Sequence, residues 1–138
     1  MAESQWNRTR IVVIDDDPMF LELMQELLEL GEGYEVLSSA NWLHSFELIK
    51  TARPDLVILD LMMGREQCGR AVLELLRDDP GTCHIPVIVC SAAAPALLDQ
   101  ARRLRDKGAV ETLAKPFELD DMLGLIQRLL VSRSALPA

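Results

Sequence analysis

The sequence predicts an α/β protein, doubly wound, whose parallel sheet is covered by helices on both faces. Two observations carry this. Short apolar runs alternate five times with segments whose apolar residues recur every three or four positions, the pattern of successive strand–helix units. The runs RIVVI, DLVILD and IPVIVCS are also apolar almost throughout, as strands buried on both faces require.

The elements follow in order. RIVVI (10–14) is the first strand. Pro18 suits the first turn of a helix, where its missing N–H costs nothing. Phe20, Leu23, Met24, Leu27 and Leu28 repeat at helical spacing, and Gly31 and Gly33 end the segment. YEVLSS (34–39) is the second strand. Asn41 is placed to cap a helix over 42–52 that buries Leu43, Phe46, Leu48 and Ile49. Arg53-Pro54 stops it. DLVILD (55–60) is the third strand. The stretch MMGREQCG leads to a helix over 69–78 with Val72, Leu75 and Leu76 inward, closed by the turn Asp79-Pro80-Gly81. IPVIVCS (85–91) is the fourth strand. Pro95 opens a helix whose polar face carries Arg102, Arg103, Arg105 and Asp106, and Lys107-Gly108 closes it. AVETLA (109–114) is a weaker fifth strand, interrupted by Lys115-Pro116. The last helix, 118–132, sets Leu119, Met122, Leu123, Ile126, Leu129 and Leu130 at spacings of three and four. The expected organisation is a flexible N-terminus over 1–8, one domain over 9–131 and a short tail over 132–138.

At 138 residues and 49% apolar composition, the chain suffices for one domain with a hydrophobic core. Its net charge of -8 opposes unaided binding to nucleic acid or anionic membrane. No apolar run approaches the roughly 20 residues of a membrane span, and the start MAESQWNRTR lacks a signal-peptide core. Cys68, Cys83 and Cys90 are odd in number and lack metal-type spacing, which points to reduced thiols and a cytoplasmic protein. His44 and His84 are expected on the surface or in loops.

In parallel sheets of this kind ligands bind beyond the carboxyl ends of the strands. Those ends carry Asp15, Asp16 and Asp17 after the first strand, Asp60 as the last residue of the third, Ser91 as the last residue of the fourth and Lys115 after the fifth. Taken alone, the DDDP run (15–18) is readable as acids that start a helix. Gathered at one edge, the set suits phosphoryl chemistry. A carboxylate can attack an activated phosphorus, and a divalent cation such as Mg²⁺ relieves the repulsion among hard oxygen ligands. A lysine and a hydroxyl can hold the remaining phosphoryl oxygens. Asp60, alone on a central strand, is the natural nucleophile. Asp17 is expected to cap the helix.

The stretches IVVIDDDP, DLVILDLMM, IPVIVCSA and LAKPF, in this order and at these intervals, resemble the receiver domain of response regulators in bacterial two-component signalling. The resemblance spans roughly residues 9–131 and implies a stand-alone (βα)5 flavodoxin-like sandwich with strand order 2-1-3-4-5. It implies Asp60 as phosphoacceptor, Asp15 and Asp16 as the acidic pair, Ser91 as the switch hydroxyl and Lys115 as the site lysine. Mg²⁺ would be held by Asp16 directly, Asp15 usually through water, Asp60 and the backbone carbonyl of Met62. Lys115-Pro116 would be cis. The implied partners are a sensor histidine kinase or phosphotransfer protein and an unidentified downstream protein. Any homodimer would use the face of helix four, strand five and helix five. Such a chain assists its own phosphorylation and dephosphorylation but is a signalling switch, not an enzyme.

Four features depart from the family pattern. The loop after Asp60 reads GREQCG, with Gly64 where proline is usual and Cys68-Gly69 where Asp-Gly is expected, one residue late; a mobile loop is expected. Thr112 replaces the aromatic switch residue, which implies a muted or rerouted response through Ser91 and the loop that follows it. Met62 and Ala93 occupy the positions that influence hydrolysis, and neither side chain can hydrogen-bond an attacking water. No output domain is expected after residue 131. Two alternatives stand beside the switch. One is a receiver-like interaction module independent of phosphorylation. The other is a haloacid-dehalogenase-like phosphatase built on Asp15-x-Asp17, which has Met19 where Thr or Val is usual and leaves Asp60 and Lys115 unused.

Overall fold

Ile11, Val12, Val13 and Ile14 are all at most 1% exposed, so the first apolar run lies at the centre of the molecule with both faces covered. It belongs to β1 (Arg10–Ile14), followed by α1 (Pro18–Gln25), β2 (Glu35–Ser39), α2 (Trp42–Ala52) and β3 (Leu56–Leu59). Then come α3 (Cys68–Asp78), β4 (Val87–Ser91), α4 (Pro95–Arg102), β5 (Val110–Ala114) and α5 (Leu119–Ser134). The computed structural model describes residues 8–63, 68–104 and 108–134. The expectations for the N-terminus, for the loop over 64–67, for Arg105, Asp106 and Lys107 and for the end of the tail lie outside these residues.

The strands form one sheet in the order β2-β1-β3-β4-β5, every neighbouring pair parallel, as expected. The chain steps outward from β1 to β2 and then crosses back to β3. The order reverses between β1 and β3, and the carboxyl ends of those strands flank the crevice where such sheets bind ligands.

Because side chains alternate along a strand, each central strand supplies both layers of the core. Val12, Ile14, Val57, Leu59, Val87 and Val89 pack with Ile49, Leu73, Leu76 and Leu98 from α2, α3 and α4. Ile11, Val13, Leu56, Ile58 and Ile88 pack with Phe20, Met24 and Leu28 from the first helical segment and with Met122, Ile126 and Leu129 from α5. Helices therefore cover both faces, and the sheet presents its edges and its carboxyl end.

Caps fix where the first two helices begin. The Asp17 side chain accepts from the Met19 N–H at 3.0 Å and Pro18 follows at the first helical position. The Asn41 side chain likewise accepts from Leu43 N–H at 3.0 Å. Arg53 closes α2 in the left-handed region at φ 51°. Gly33 takes φ 77° after the first helical segment, a conformation that glycine adopts without a Cβ penalty.

Several apolar residues expected inward face solvent. Leu43, Leu75, Leu23 and Leu119 are 64%, 50%, 41% and 40% exposed. In α2 the buried positions are Ser45, Ile49 and Ala52, a four-then-three repeat that leaves Leu43 off the stripe. Ser45 tolerates burial because its hydroxyl donates to Asn41 O at 2.9 Å. In α3 the stripe runs through Val72, Leu73 and Leu76, and Leu75 stands about 100° round the helix from Leu76. In α1 the stripe of Phe20 and Met24 leaves Leu23 at its margin. That helix also continues as a π-helical stretch over Glu26–Gly31, a feature the apolar spacing does not reveal. Helix α4 stops at Arg102, short of the expected Lys107-Gly108.

Gly69 sits at the start of α3, directly against the end of β3. A Cβ built there would lie 1.7 Å from the carbonyl oxygen of Asp60, and its own N–H donates to Leu61 O at 2.9 Å. Three variants test the packing of α3 by urea unfolding. Leu73→Ala should cost about 2–5 kcal/mol, whereas Leu75→Ala should cost less than about 0.5 kcal/mol. Gly69→Ala should cost about 3 kcal/mol or more, since the clash is with backbone that cannot move without breaking the strand end.

Candidate functional site

Three backbone hydrogen bonds extend the parallel ladder one residue beyond the strands. Asp15 N–H donates to Ser39 O at 3.2 Å, Asp60 N–H to Ile14 O at 3.0 Å and Lys115 N–H to Ser91 O at 2.9 Å. The residues that follow β1, β3 and β5 are thereby held in register although they lie 45 and 55 positions apart in the chain. Lys115-Pro116 is cis, in agreement with the expectation.

The side chains converge on one point. Lys115 Nζ donates to Asp15 Oδ2 at 2.6 Å and to Asp60 Oδ2 at 3.3 Å. The remaining oxygens are also engaged. Asp15 Oδ1 accepts from Asp17 N–H at 2.9 Å, and Asp60 Oδ1 accepts from Met62 N–H at 3.1 Å. Asp15 is 1% exposed and Asp60 7% exposed, while Asp16 is exposed at the rim.

Electrostatics follow from this burial. Loss of solvent pushes the Asp15 carboxyl up, against the opposing pull of the Lys115 ammonium and the Asp17 N–H. Burial works against the Lys115 charge, but the hydrogen bond and charge of Asp15, with the charge of Asp60, outweigh it and hold Lys115 above the usual lysine value. The Cys90 thiol, beneath the site, is pushed up to about 12 by burial. It is therefore a core side chain and not a reactive thiolate. None of the three cysteines forms a disulfide among the described residues.

One oxygen each from Asp15, Asp16 and Asp60 lie within 4.8 Å of one another. Carboxylate oxygens are the hard donors that Mg²⁺ takes, so this donor set fits a divalent cation. Beside it is a cavity of about 290 Å³ lined by Asp60, Met62, Ser91, Ala93, Leu97 and Lys115 among others. The Ser91 hydroxyl oxygen accepts from Ala93 N–H at 3.2 Å and Ser91 is fully buried. All six residues singled out from the sequence thus meet at one edge, with Asp17 separated from them as the helix cap. Thr112 lies half-buried on β5, in register with Val89.

Two residues near the site were not singled out by sequence reasoning. Gly69 approaches the Asp60 backbone, a role that the displaced Cys68-Gly69 pair only hints at. Phe20 lies in the first turn of α1, and Lys115 Nζ stands 4.2 Å from the centre of its ring. In the sequence Phe20 is indistinguishable from any other core position of an amphipathic helix.

Comparison with known proteins agrees with this architecture. Residues 11–127 match the response regulator receiver domain family. The chain is 34% identical over 128 residues to the DNA-binding dual master transcriptional regulator RpaA of Synechocystis, covering 93% of this chain and 52% of that protein. It is 29% identical over 117 residues to the polar-differentiation response regulator DivK of Brucella anthropi, covering 85% of this chain and 92% of DivK. The chain therefore spans about half of the one relative and nearly all of the other. A solved receiver domain of a DNA-binding response regulator from Colwellia psychrerythraea superposes with a TM-score of 0.77 at 27% identity, covering 88% of this chain and 98% of that one. A CheY-like receiver domain protein from Methanospirillum hungatei gives 0.79 at 24% identity, covering 93% and 98%, and speaks for the fold. No helix among the described residues is long and apolar enough to cross a membrane. With its matched span covering nearly the whole sheet and its acidic edge intact, the chain belongs to the receiver domains of two-component response regulators, which are phosphorylation-controlled signalling switches.

Proposed function

We propose that Asp60 accepts a phosphoryl group from a histidine kinase or phosphotransfer protein, in a cytoplasmic switch that acts on a protein partner and turns over no separate substrate. The observation that carries this is the Lys115 ammonium bridging Asp15 and Asp60. A bare carboxylate cluster could serve any cation. A cation of the protein's own, placed on the attacking group, suits a reaction that brings in phosphoryl oxygens.

An Asp60 carboxylate oxygen forms the new P–O bond as the P–N bond of a phosphohistidine breaks, and the electron pair stays on the imidazole. Asp15, Asp16, Asp60 and the Met62 carbonyl would hold Mg²⁺. When bound, the ion supplies charge stabilisation for phosphoryl oxygens. Lys115 pairs with an oxygen of the group on Asp60. The Ser91 hydroxyl, which lines the same cavity, donates to another and draws the loop after β4 inward. With Thr112 in place of an aromatic ring, the response runs through Ser91 and that loop and is muted at the last helices, and any homodimer would use α4, β5 and α5.

Incubation with acetyl phosphate and Mg²⁺, read by intact mass, tests the assignment. Wild type should gain one phosphoryl group and Asp60→Asn none. Equal labelling of both would move the chemistry away from Asp60, towards the phosphatase reading with Asp15 as nucleophile. Because Met62 and Ala93 offer no side-chain hydrogen bond to water, the phosphoryl group should persist for minutes or longer after removal of the donor, and its loss within seconds would overturn that assignment. Mg²⁺ at one hundred times its Kd should stabilise the fold by about 2.7 kcal/mol, an increment absent in Asp16→Asn. The raised Asp15 pKa sets the sign of that residue's contribution to the pH dependence. The folded state binds a proton at Asp15 more readily than the unfolded chain does. Asp15 therefore costs stability above its folded pKa, and the cost fades as pH falls through it. Protons and Mg²⁺ compete for the same oxygens, so the Mg²⁺ increment in thermal melts should shrink on acidification towards the carboxylate range.

A further inference from the structure

We infer that Phe20 is a positioning residue for Lys115: the face of its ring holds the ammonium at the height of the Asp15 and Asp60 carboxylates, ready to transfer to a phosphoryl oxygen. The inference rests on Asp60 being the phosphoacceptor, and its test is arranged so that the two can fail separately.

The geometry is specific. Lys115 Nζ lies 4.2 Å from the Phe20 ring centre, well inside the roughly 6 Å range of a cation–π contact. Phe20 is buried at 8% exposure, so the attraction is little weakened by water. The ring cannot swing freely. It makes an edge-to-face contact with Phe117, centroids 6.1 Å apart and planes at 75°, and Phe117 belongs to the same β5–α5 connection as Lys115. Asp17 and Pro18 fix the start of α1 and so place Phe20 in the first turn, beneath the site. One aromatic pair therefore ties the first turn of α1 to the segment that carries the lysine.

The chemistry gives this contact a purpose that a methyl-bearing side chain would not serve. An ammonium has three N–H donors. In the resting structure Asp15 and Asp60 accept from it. A phosphoryl group on Asp60 adds negative oxygens that need the same donors. The ring attracts the charge by its quadrupole and presents no lone pair, so it holds the lysine without competing strongly for the N–H groups that the phosphoryl oxygens require. A carboxylate in the same place would retain the ammonium and repel the incoming anion. An aliphatic side chain would fill the space without attracting the charge.

Fluorination of the ring separates this from packing, since it drains the quadrupole with little change in size. The experiment compares wild type with protein carrying 3,5-difluoro- and pentafluorophenylalanine at position 20, and with Phe20→Leu and Phe20→Trp. Two readouts are taken on each. The first is the ring-current shift of the Lys115 Hε protons in the unphosphorylated protein. The second is the rate of labelling by acetyl phosphate at saturating Mg²⁺, with thermal midpoints recorded alongside. The expected result is an upfield Hε shift in wild type that Phe20→Leu abolishes. Labelling should slow progressively along the fluorinated series, by about three- to five-fold at pentafluorophenylalanine, while thermal midpoints change little, and Phe20→Trp should retain the wild-type rate. A flat rate along the fluorinated series, with wild type labelled normally, would overturn the positioning role and leave the assignment of Asp60 standing. An unshifted Hε signal in wild type would overturn it as well. Wild type that takes no label at all, with the Hε shift present, would overturn the phosphoacceptor reading and with it the role of the ring in that reaction.

Discussion

An ammonium group held between two buried carboxylates is the interaction on which the carboxyl edge of this sheet depends. Asp15 and Asp60 come from neighbouring strands and their like charges repel in surroundings from which water is mostly excluded. Burial of such a pair without compensation would be costly. Lys115 supplies that compensation from the far side of the sheet, 100 residues from Asp15 and 55 from Asp60 in sequence. Its backbone is held by Ser91, so the order of the strands decides whether the charge arrives. Were β5 not beside β4, no lysine would reach across β3 to β1. The topology and the electrostatics of the edge are thus one problem with one solution.

The balance remains partial. Asp15 has its carboxyl pushed up by burial even with the lysine in contact, so desolvation wins over the local hydrogen bonds there. Lys115 shows the reverse, with partners outweighing burial. An edge in which one carboxylate is under-compensated has residual affinity for positive charge. The exposed Asp16, with an oxygen within 4.8 Å of the other two, is where a further cation would enter from solvent.

Much of this was legible in the sequence, for a reason that can be stated residue by residue. Strands buried on both faces are apolar almost throughout, so Ile11–Ile14 and Val87–Cys90 announce themselves. Caps and stops are local chemistry, so Asp17, Asn41 and Arg53-Pro54 mark helix ends within a residue or so. The site residues were legible because each follows a strand, and parallel strands must bring such positions to one edge. Other features depend on tertiary packing. Leu73 and Leu75 both fit an amphipathic pattern, and only the placement of α3 on the sheet decides between them. Leu43 and Leu119 begin their helices, where the stripe has not yet met the core. The π-helical stretch over Glu26–Gly31, in which Leu28 is buried, leaves no signal in the apolar spacing. Gly69 and Phe20 escaped notice because their roles exist between elements: one against the backbone of Asp60, the other against a side chain from the opposite end of the chain.

These two residues bear on the same centre from opposite sides. Gly69 lets the start of α3 close onto the backbone carbonyl of Asp60. Phe20 supports the lysine that faces the Asp60 carboxylate. The acidic residues are themselves held, Asp15 by Asp17 N–H and Asp60 by Met62 N–H, and the uncharged pieces, a missing Cβ and an aromatic face, add close packing around them. The proposed reaction replaces one set of partners for Lys115 by another while its ammonium stays near the same place. A rigid, uncharged support suits that exchange better than a further salt bridge would. A salt bridge binds the ammonium most tightly in the resting state, whereas the ring attracts it in both states and leaves the choice of anionic partner to whatever occupies Asp60.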